Sequence, residues 1–90
     1  MTDTELLTML KTDLGISTTA YDTRLAQYIA SAKTEIAREG ITLNDSVADG
    51  NLVIMYAAWT WRRRDSGDGM PRMLRYALNK RIFSEKMSNG

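Results

Sequence analysis

Three consecutive arginines, Arg62 to Arg64, are the residues of this sequence whose type and spacing best suit a chemical role. A guanidinium group presents forked N–H donors that match the oxygens of a phosphate or a carboxylate. The arginines follow a long apolar stretch and therefore close a predicted helix, where each cation also offsets the helix dipole by about 0.3–1 kcal/mol. Three adjacent arginines exceed what the dipole needs, so an anionic partner is the second interpretation.

The charge of the chain is divided unequally along its length. Residues 1–61 carry four basic and eight acidic side chains, whereas residues 62–90 carry eight basic and three acidic ones. Beyond the three arginines, the basic part includes Arg72, Arg75, Lys80 and Arg81. An acidic first part and a basic second part are typical of nucleic-acid contact, or of an assembly whose subunits touch through unlike surfaces.

The side chains that most often carry out catalysis are missing. The sequence has no cysteine and no histidine, which excludes a thiolate nucleophile and removes the commonest general base and metal ligand. Asp45, Asp49 and Gly50 fit three positions of a calcium-binding EF-hand loop, but Val47 and Tyr56 stand where that loop requires ligands. We therefore predict that the protein is not an enzyme and that it binds no metal or cofactor.

A helix-turn-helix is the alternative that the sequence offers for DNA binding. The segment EIAREGIT at 35–42 precedes a predicted helix, but Ala37 and Gly40 stand one residue too close together for that motif. The helix that would read the bases also begins with Asp45 and Asp49, and acidic side chains repel phosphate. A small helical DNA-binding regulator therefore stays as the alternative function.

The hydrophobic periodicity predicts one all-α domain over residues 1–90, a small bundle of four helices with no sheet. The predicted helices are 3–14, 22–39, 46–65 and 71–86, followed by a frayed tail at 87–90. Gly15 and Gly40 end the first two helices, and Pro71 opens the fourth. The predicted core stripe of the fourth helix consists of Met70, Met73, Leu74, Ala77, Leu78 and Ile82.

The third predicted helix is apolar on every side from Leu52 to Trp61. Trp59 and Trp61 lie 200° apart at about 100° per residue, so they cannot face the same neighbour. One interpretation places this helix at the centre of the bundle. The other holds that three short helices cannot cover both faces. On that view, about 300 Å² on the side of Ile54 and Trp61 is left for a partner, and covering it is worth roughly 7 kcal/mol.

The same apolar stretch is too short to span a bilayer. The acidic N-terminal segment MTDTELL lacks the positive region of a signal peptide. We therefore expect a protein that is made in the cytoplasm and has no membrane contact.

These patterns together resemble the head–tail connector proteins of tailed bacteriophages and prophages, also called adaptor, head-completion or DNA-packaging proteins. The resemblance covers nearly the whole chain and rests on three segments in this order. They are ELLTMLKTDLGI at 5–16, DTRLAQYIASAKTEIAREGI at 22–41 and LVIMYAAWTWRRRDSGDGMPRMLRYALNKRIFSEK at 52–86.

The resemblance implies a structural protein without catalytic residues. Members of this family are small and helical, and twelve copies in the virion form a ring beneath the portal protein. The ring joins the portal to the tail-side completion or terminator protein, and the packaged DNA passes through its centre. The implied location is the neck of the virion, after assembly in the cytoplasm of the bacterial host.

Two sets of residues are the candidate contacts in such a ring. For an interface with another subunit or with the portal, we predict Ile54, Trp61, Arg62, Arg63 and Arg64. For contact with the DNA channel or with an acidic partner, we predict Arg72, Arg75, Lys80 and Arg81. A sequence-independent contact with phosphates would let the DNA slide through the ring.

Overall fold

The computed structural model describes residues 1–89, with side chains through Met87, and these residues form four helices. The helices are α1 (Asp3–Leu14), α2 (Asp22–Arg38), α3 (Val47–Ser66) and α4 (Arg72–Asn89). Within this described part of the chain there is no strand. The predicted all-α bundle of four helices is therefore confirmed, and the predicted boundaries hold to within one residue except at the end of α4.

Local sequence signals explain where α1 and α3 begin and end. The Thr2 hydroxyl accepts the Glu5 N–H at 3.1 Å, and the Glu5 carboxylate accepts the Thr2 N–H at 3.0 Å, which completes a capping box. The Ser46 hydroxyl accepts the Asp49 N–H at 3.1 Å in the same way. Gly15 and Gly67 follow the two helices with φ of 73° and 70°, the left-handed conformation that glycine adopts without steric cost.

The last turns of α4 depart from the prediction. Residues 87–89 are helical, so the expected frayed tail is wrong for these positions, and Gly90 lies outside the described residues. The Glu85 carboxylate accepts the N–H of Thr42 in the α2–α3 connection. This bond ties the final part of α4 to the rest of the chain, where an unattached terminus would fray.

α3 is the central helix, since it packs against each of the other three. Its buried apolar side chains are Leu52, Val53, Ile54, Ala57, Ala58 and Trp61. α1 and α2 contribute Leu6, Leu10, Leu25, Ile29, Ala32 and Ile36, and α4 contributes Leu74 and Leu78. The interpretation of α3 as the centre of the bundle is therefore confirmed.

The expectation that the side of α3 with Ile54 and Trp61 lies bare is wrong. Ile54 is 6% exposed and Trp61 is 9% exposed. Tyr21 and Tyr28 pack edge-on against the Trp61 indole, with ring centroids 5.8 and 5.3 Å away. α2 and the residue before it therefore supply aromatic surface that the sequence-based estimate did not count. Neither Ile54 nor Trp61 is accessible for an interface in this fold.

Candidate functional site

The face of α4 that points away from the core carries a row of large apolar side chains. Met73, Tyr76, Phe83 and Met87 are 65–71% exposed, and Lys80 is exposed between them. We call these five residues the α4 stripe. Their spacing alternates between three and four residues, the seam pattern by which one helix packs along another. The stripe is therefore a helix face with a packing pattern that the described part of the chain leaves uncovered.

Met73 and its neighbours show how the sequence prediction went wrong on α4. Met73 was placed in the core stripe, but it is 71% exposed, while Leu74 and Leu78 are buried. α4 has two apolar sides, and periodicity alone could not tell which one faces α3. Tyr76 and Phe83 were missed, although their spacing from Met73 was visible in the sequence.

Positive charge surrounds the α4 stripe. Arg72 and Lys86 are exposed beside it, and Lys80 lies within it. Glu85 is the one acidic residue between positions 72 and 89, and its carboxylate faces inward, toward Thr42 and Arg81. The stripe therefore suits a partner surface that is both apolar and acidic.

Arg81 holds the core side of α4 through a buried ion pair. Its Nε donates to Oδ1 of Asp49 at 2.8 Å, and its Nη2 donates to Oδ2 at 3.2 Å. Nη2 also donates to the Thr42 carbonyl oxygen at 2.8 Å. Asp49 is only 3% exposed, so this bidentate pair is shielded from water. Arg81, which was predicted to contact DNA or an acidic partner, therefore uses its Nε and Nη2 donors inside the fold.

The electrostatics of Asp49 agree with this geometry. Burial raises the pKa of its carboxyl group, but the hydrogen bonds from Arg81 and from the Asn44 N–H outweigh burial. The net pKa lies below the ordinary value of 3.8. The same carboxylate raises the pKa of Arg81. Both groups are therefore charged in the folded protein.

The other predicted DNA-contact residues are distributed differently. Arg75 donates to the Glu39 carboxylate at 3.2 Å and so links α4 to the end of α2. Arg72 and Lys80 are exposed on α4. Of this predicted set, Lys80 therefore lies within the α4 stripe and Arg72 lies beside it.

The three consecutive arginines, Arg62 to Arg64, contact different parts of the structure. Arg62 donates to the Asp13 carbonyl oxygen at 3.1 Å and joins α3 to the end of α1. The guanidinium carbon of Arg63 lies 4.8 Å from the centroid of the Trp59 ring, and that of Arg64 lies 3.9 Å from the Trp61 ring. Arg63 and Arg64 are exposed, so these stacked guanidinium groups face both an indole and the solvent.

Arg63 and Arg64 form one wall of a groove between α2 and α3, which we call the α2–α3 cleft. Its volume is about 660 Å³. The lining residues are Arg24, Gln27, Tyr28 and Ser31 from α2, Thr60, Arg63 and Arg64 from α3, and Gly67 after it. The set contains three arginines and no carboxylate. The sequence analysis missed Arg24, since only the pairing of α2 with α3 brings it to Arg63 and Arg64.

Two further classes of site are absent from the described residues. Positions 1–89 contain no group of three or more His, Cys, Asp or Glu side chains arranged to hold a metal ion. None of the four helices there is both long and apolar enough to cross a membrane.

Comparison with known protein families, with curated proteins and with solved structures gives no match to this chain. Its function is therefore inferred from these surfaces and from the pattern of the sequence.

Proposed function

We propose that this protein is a structural subunit of the neck of a tailed bacteriophage. Copies of it form a ring that joins the portal protein to the tail-side completion or terminator protein, and DNA passes through the ring. The proposal assigns the chain no catalytic activity. It rests on the resemblance of the sequence to head–tail connector proteins and on one structural observation, the α4 stripe.

The size of the α4 stripe supports a role in assembly. Its four apolar members are about two-thirds exposed. Full burial of such a side chain is worth about 1.5–3 kcal/mol, so covering all four would contribute on the order of 4–8 kcal/mol before the costs of association. A gain of this size at each contact offsets a substantial part of the association cost and so favours assembly.

The charge around the stripe favours contact with a different surface over contact with a second stripe. Two antiparallel stripes centred on Lys80 would bring the two Lys80 ammonium groups together. Arg72 and Lys86 would add further like charge, and the solvent-facing side of α4 offers no carboxylate to offset it. Residues 1–61 carry the acidic side chains that such a basic face requires. Contact between unlike surfaces gives a ring when the rotation from one subunit to the next closes.

The position of α3 favours the ring over the alternative of a DNA-binding regulator. α3 follows the α2–α3 connection, where a helix-turn-helix would place the recognition helix. In this fold α3 is central, and Asp49 and Gly50 in its first turns are buried. The exposed side of its N-terminal half includes Val47, Asn51 and Met55, and of these only Asn51 carries a group that hydrogen-bonds to a base edge.

Replacing Tyr76 and Phe83 with serine tests the proposal. The double substitution removes both aromatic rings of the α4 stripe, and neither ring is part of the core. We expect the thermal midpoint of unfolding to change little and the affinity of each subunit contact to fall at least about 100-fold. Native mass spectrometry and negative-stain electron microscopy, with the chain alone and with its cognate portal protein, measure assembly.

Asn79→Ser is the matched control, because Asn79 is exposed on the same helix and lies outside the α4 stripe. We expect this variant and the unaltered chain to give rings of one defined copy number, twelve by analogy with the connector proteins. Rings of normal yield from the Tyr76 and Phe83 variant would exclude the stripe as the subunit contact. A chain that stays monomeric both alone and with the portal would refute the proposed function.

A further inference from the structure

The α2–α3 cleft has the composition of a site for an extended anion. We infer that it binds the phosphodiester backbone of DNA without regard to sequence. The cleft is lined by residues of α2, α3 and the turn after α3, and by none of α4, so it is separate from the α4 stripe. The choice of DNA as the anion rests on the proposed function, whereas the anion-binding character of the cleft does not.

Two of the three arginines in the cleft are held in place before any ligand arrives. Arg64 stacks on the Trp61 indole and also donates from Nη1 to the Trp61 carbonyl oxygen at 2.8 Å. Arg63 stacks on Trp59. Stacking on an aromatic face leaves the N–H edge of a guanidinium group free to donate. Ordering these side chains in advance lowers the entropy that binding would otherwise lose.

The charges of the cleft are not neutralised by the protein itself. Among the described residues, no carboxylate lies within 4.0 Å of the guanidinium nitrogens of Arg24 or Arg63. The carboxylate closest to Arg64 is that of Asp65, at 3.8 Å, and its side chain is 82% exposed. By contrast, Arg38, Arg75 and Arg81 each have a carboxylate within 3.2 Å. The cleft therefore retains unused donors and positive potential.

Neutral donors extend the site beyond the arginines. Gln27, Tyr28 and Ser31 line the α2 wall, and their amide and hydroxyl groups donate to phosphate oxygens in many protein–DNA interfaces. The groove has a volume of about 660 Å³, which exceeds the space that one phosphate ion fills. It therefore has room for consecutive phosphates of a strand.

Fluorescence anisotropy with a labelled DNA duplex of about 20 base pairs tests this inference on the monomeric chain. The cleft variant Arg24→Gln, Arg63→Gln and Arg64→Gln removes three positive charges. The control variant Lys33→Gln, Arg38→Gln and Lys86→Gln removes three surface charges elsewhere. We expect the cleft variant to bind at least about 30-fold more weakly at about 50 mM salt. The slope of the logarithm of its binding constant against the logarithm of salt concentration should become shallower by about 2.7. Each phosphate contact contributes about 0.9 to that slope.

The control variant is expected to bind within about threefold of the unaltered chain, because its charges add only a diffuse potential. Equal losses in the two variants, or no duplex binding by the unaltered chain at low salt, would overturn the inference. Circular dichroism checks that each variant is folded. Arg24→Gln alone gives a further test, since this side chain makes no ion pair within the described residues; it should weaken binding about threefold to fivefold.

Tryptophan fluorescence reports on the cleft directly, because the chain has two tryptophans and both are stacked under cleft arginines. Duplex binding should change the emission with the same midpoint as the anisotropy. Inorganic phosphate at millimolar concentration should leave the emission unchanged; saturation by it would indicate a site for a single anion. Tighter binding of a poly-glutamate peptide than of DNA would overturn the choice of ligand in favour of an acidic protein.

The two surfaces can be tested independently. The Tyr76 and Phe83 variant should retain DNA binding as a monomer, and the cleft variant should still form rings. Loss of DNA binding in the cleft variant together with normal rings supports both proposals. Normal rings without DNA binding by the unaltered chain would refute the cleft and leave the proposed function standing.

Discussion

Replacing Trp61 with alanine is expected to lower the free energy of unfolding by about 3–5 kcal/mol, the usual cost of truncating a buried aromatic side chain. The indole is 9% exposed, and it lies beneath the rings of Tyr21 and Tyr28. Its removal leaves a cavity between α2 and α3 and withdraws the surface on which Arg64 stacks. For a chain of 90 residues this is a large fraction of the total stability.

Trp59→Ala provides the matched comparison for Trp61→Ala. Trp59 is partly exposed, contacts Tyr56 edge-on at 5.4 Å and donates from its indole N–H to the Asp68 carbonyl oxygen at 3.3 Å. We expect this substitution to cost about 1–2 kcal/mol, since less apolar area is buried. Urea unfolding followed by far-ultraviolet circular dichroism measures both variants without depending on indole fluorescence.

The ratio of the unfolding free energies lost in Trp61→Ala and Trp59→Ala distinguishes a core residue from an interface residue. A loss well below 1 kcal/mol for Trp61→Ala, accompanied by weaker assembly, would contradict the burial described above. That result would also support the sequence-based prediction that Trp61 lies in a subunit interface.

Replacing Asp49 with alanine is expected to lower the free energy of unfolding by about 3–5 kcal/mol, because it leaves a partly buried guanidinium without its partner. The Arg81 side chain is 18% exposed, so water replaces the lost carboxylate only in part. The Asn44 N–H, which donates to Asp49 at 2.9 Å, also loses its acceptor. Denaturation of the single variants Asp49→Ala and Arg81→Ala and of the double variant gives the coupling energy of the pair.

The double variant is the decisive measurement of that cycle. Removing both charges removes the desolvation cost along with the attraction, so we expect the double variant to be more stable than the sum of the two single losses predicts. Additive losses would show that the ion pair does not hold α4 in place.

The pH dependence of stability follows from the lowered pKa of Asp49. A carboxyl group whose pKa is lower in the folded than in the unfolded state binds fewer protons when folded. It therefore contributes stability above its unfolded pKa, and this contribution is lost as the pH falls through the folded value. The stability difference between the unaltered chain and Asp49→Asn should therefore shrink as the pH falls below about 4. A constant difference from neutral to acid pH would contradict the proposed electrostatic role.

The sequence by itself determined the helices and their ends. Thr2 and Glu5, three residues apart, form the cap of α1, and Gly15 and Gly67 stop two helices through their own backbone conformation. These effects involve neighbours within four or five residues. The hydrogen bonds and dihedral angles at a helix end therefore depend on the residue types of the local sequence.

The surfaces, in contrast, were decided by the tertiary structure. Met73 and Leu74 are adjacent apolar residues on a helix with two apolar sides, and only the docking of α4 on α3 buries one and exposes the other. Arg81 reaches a carboxylate 32 positions away, which makes it part of the core contacts of α4 instead of a DNA contact. Arg24 joins Arg63 and Arg64 because α2 crosses α3 at that point. The sequence shows which side chains are available for these sites. Their burial and charge pairing depend on which helix faces pack together, and that is a property of the whole fold.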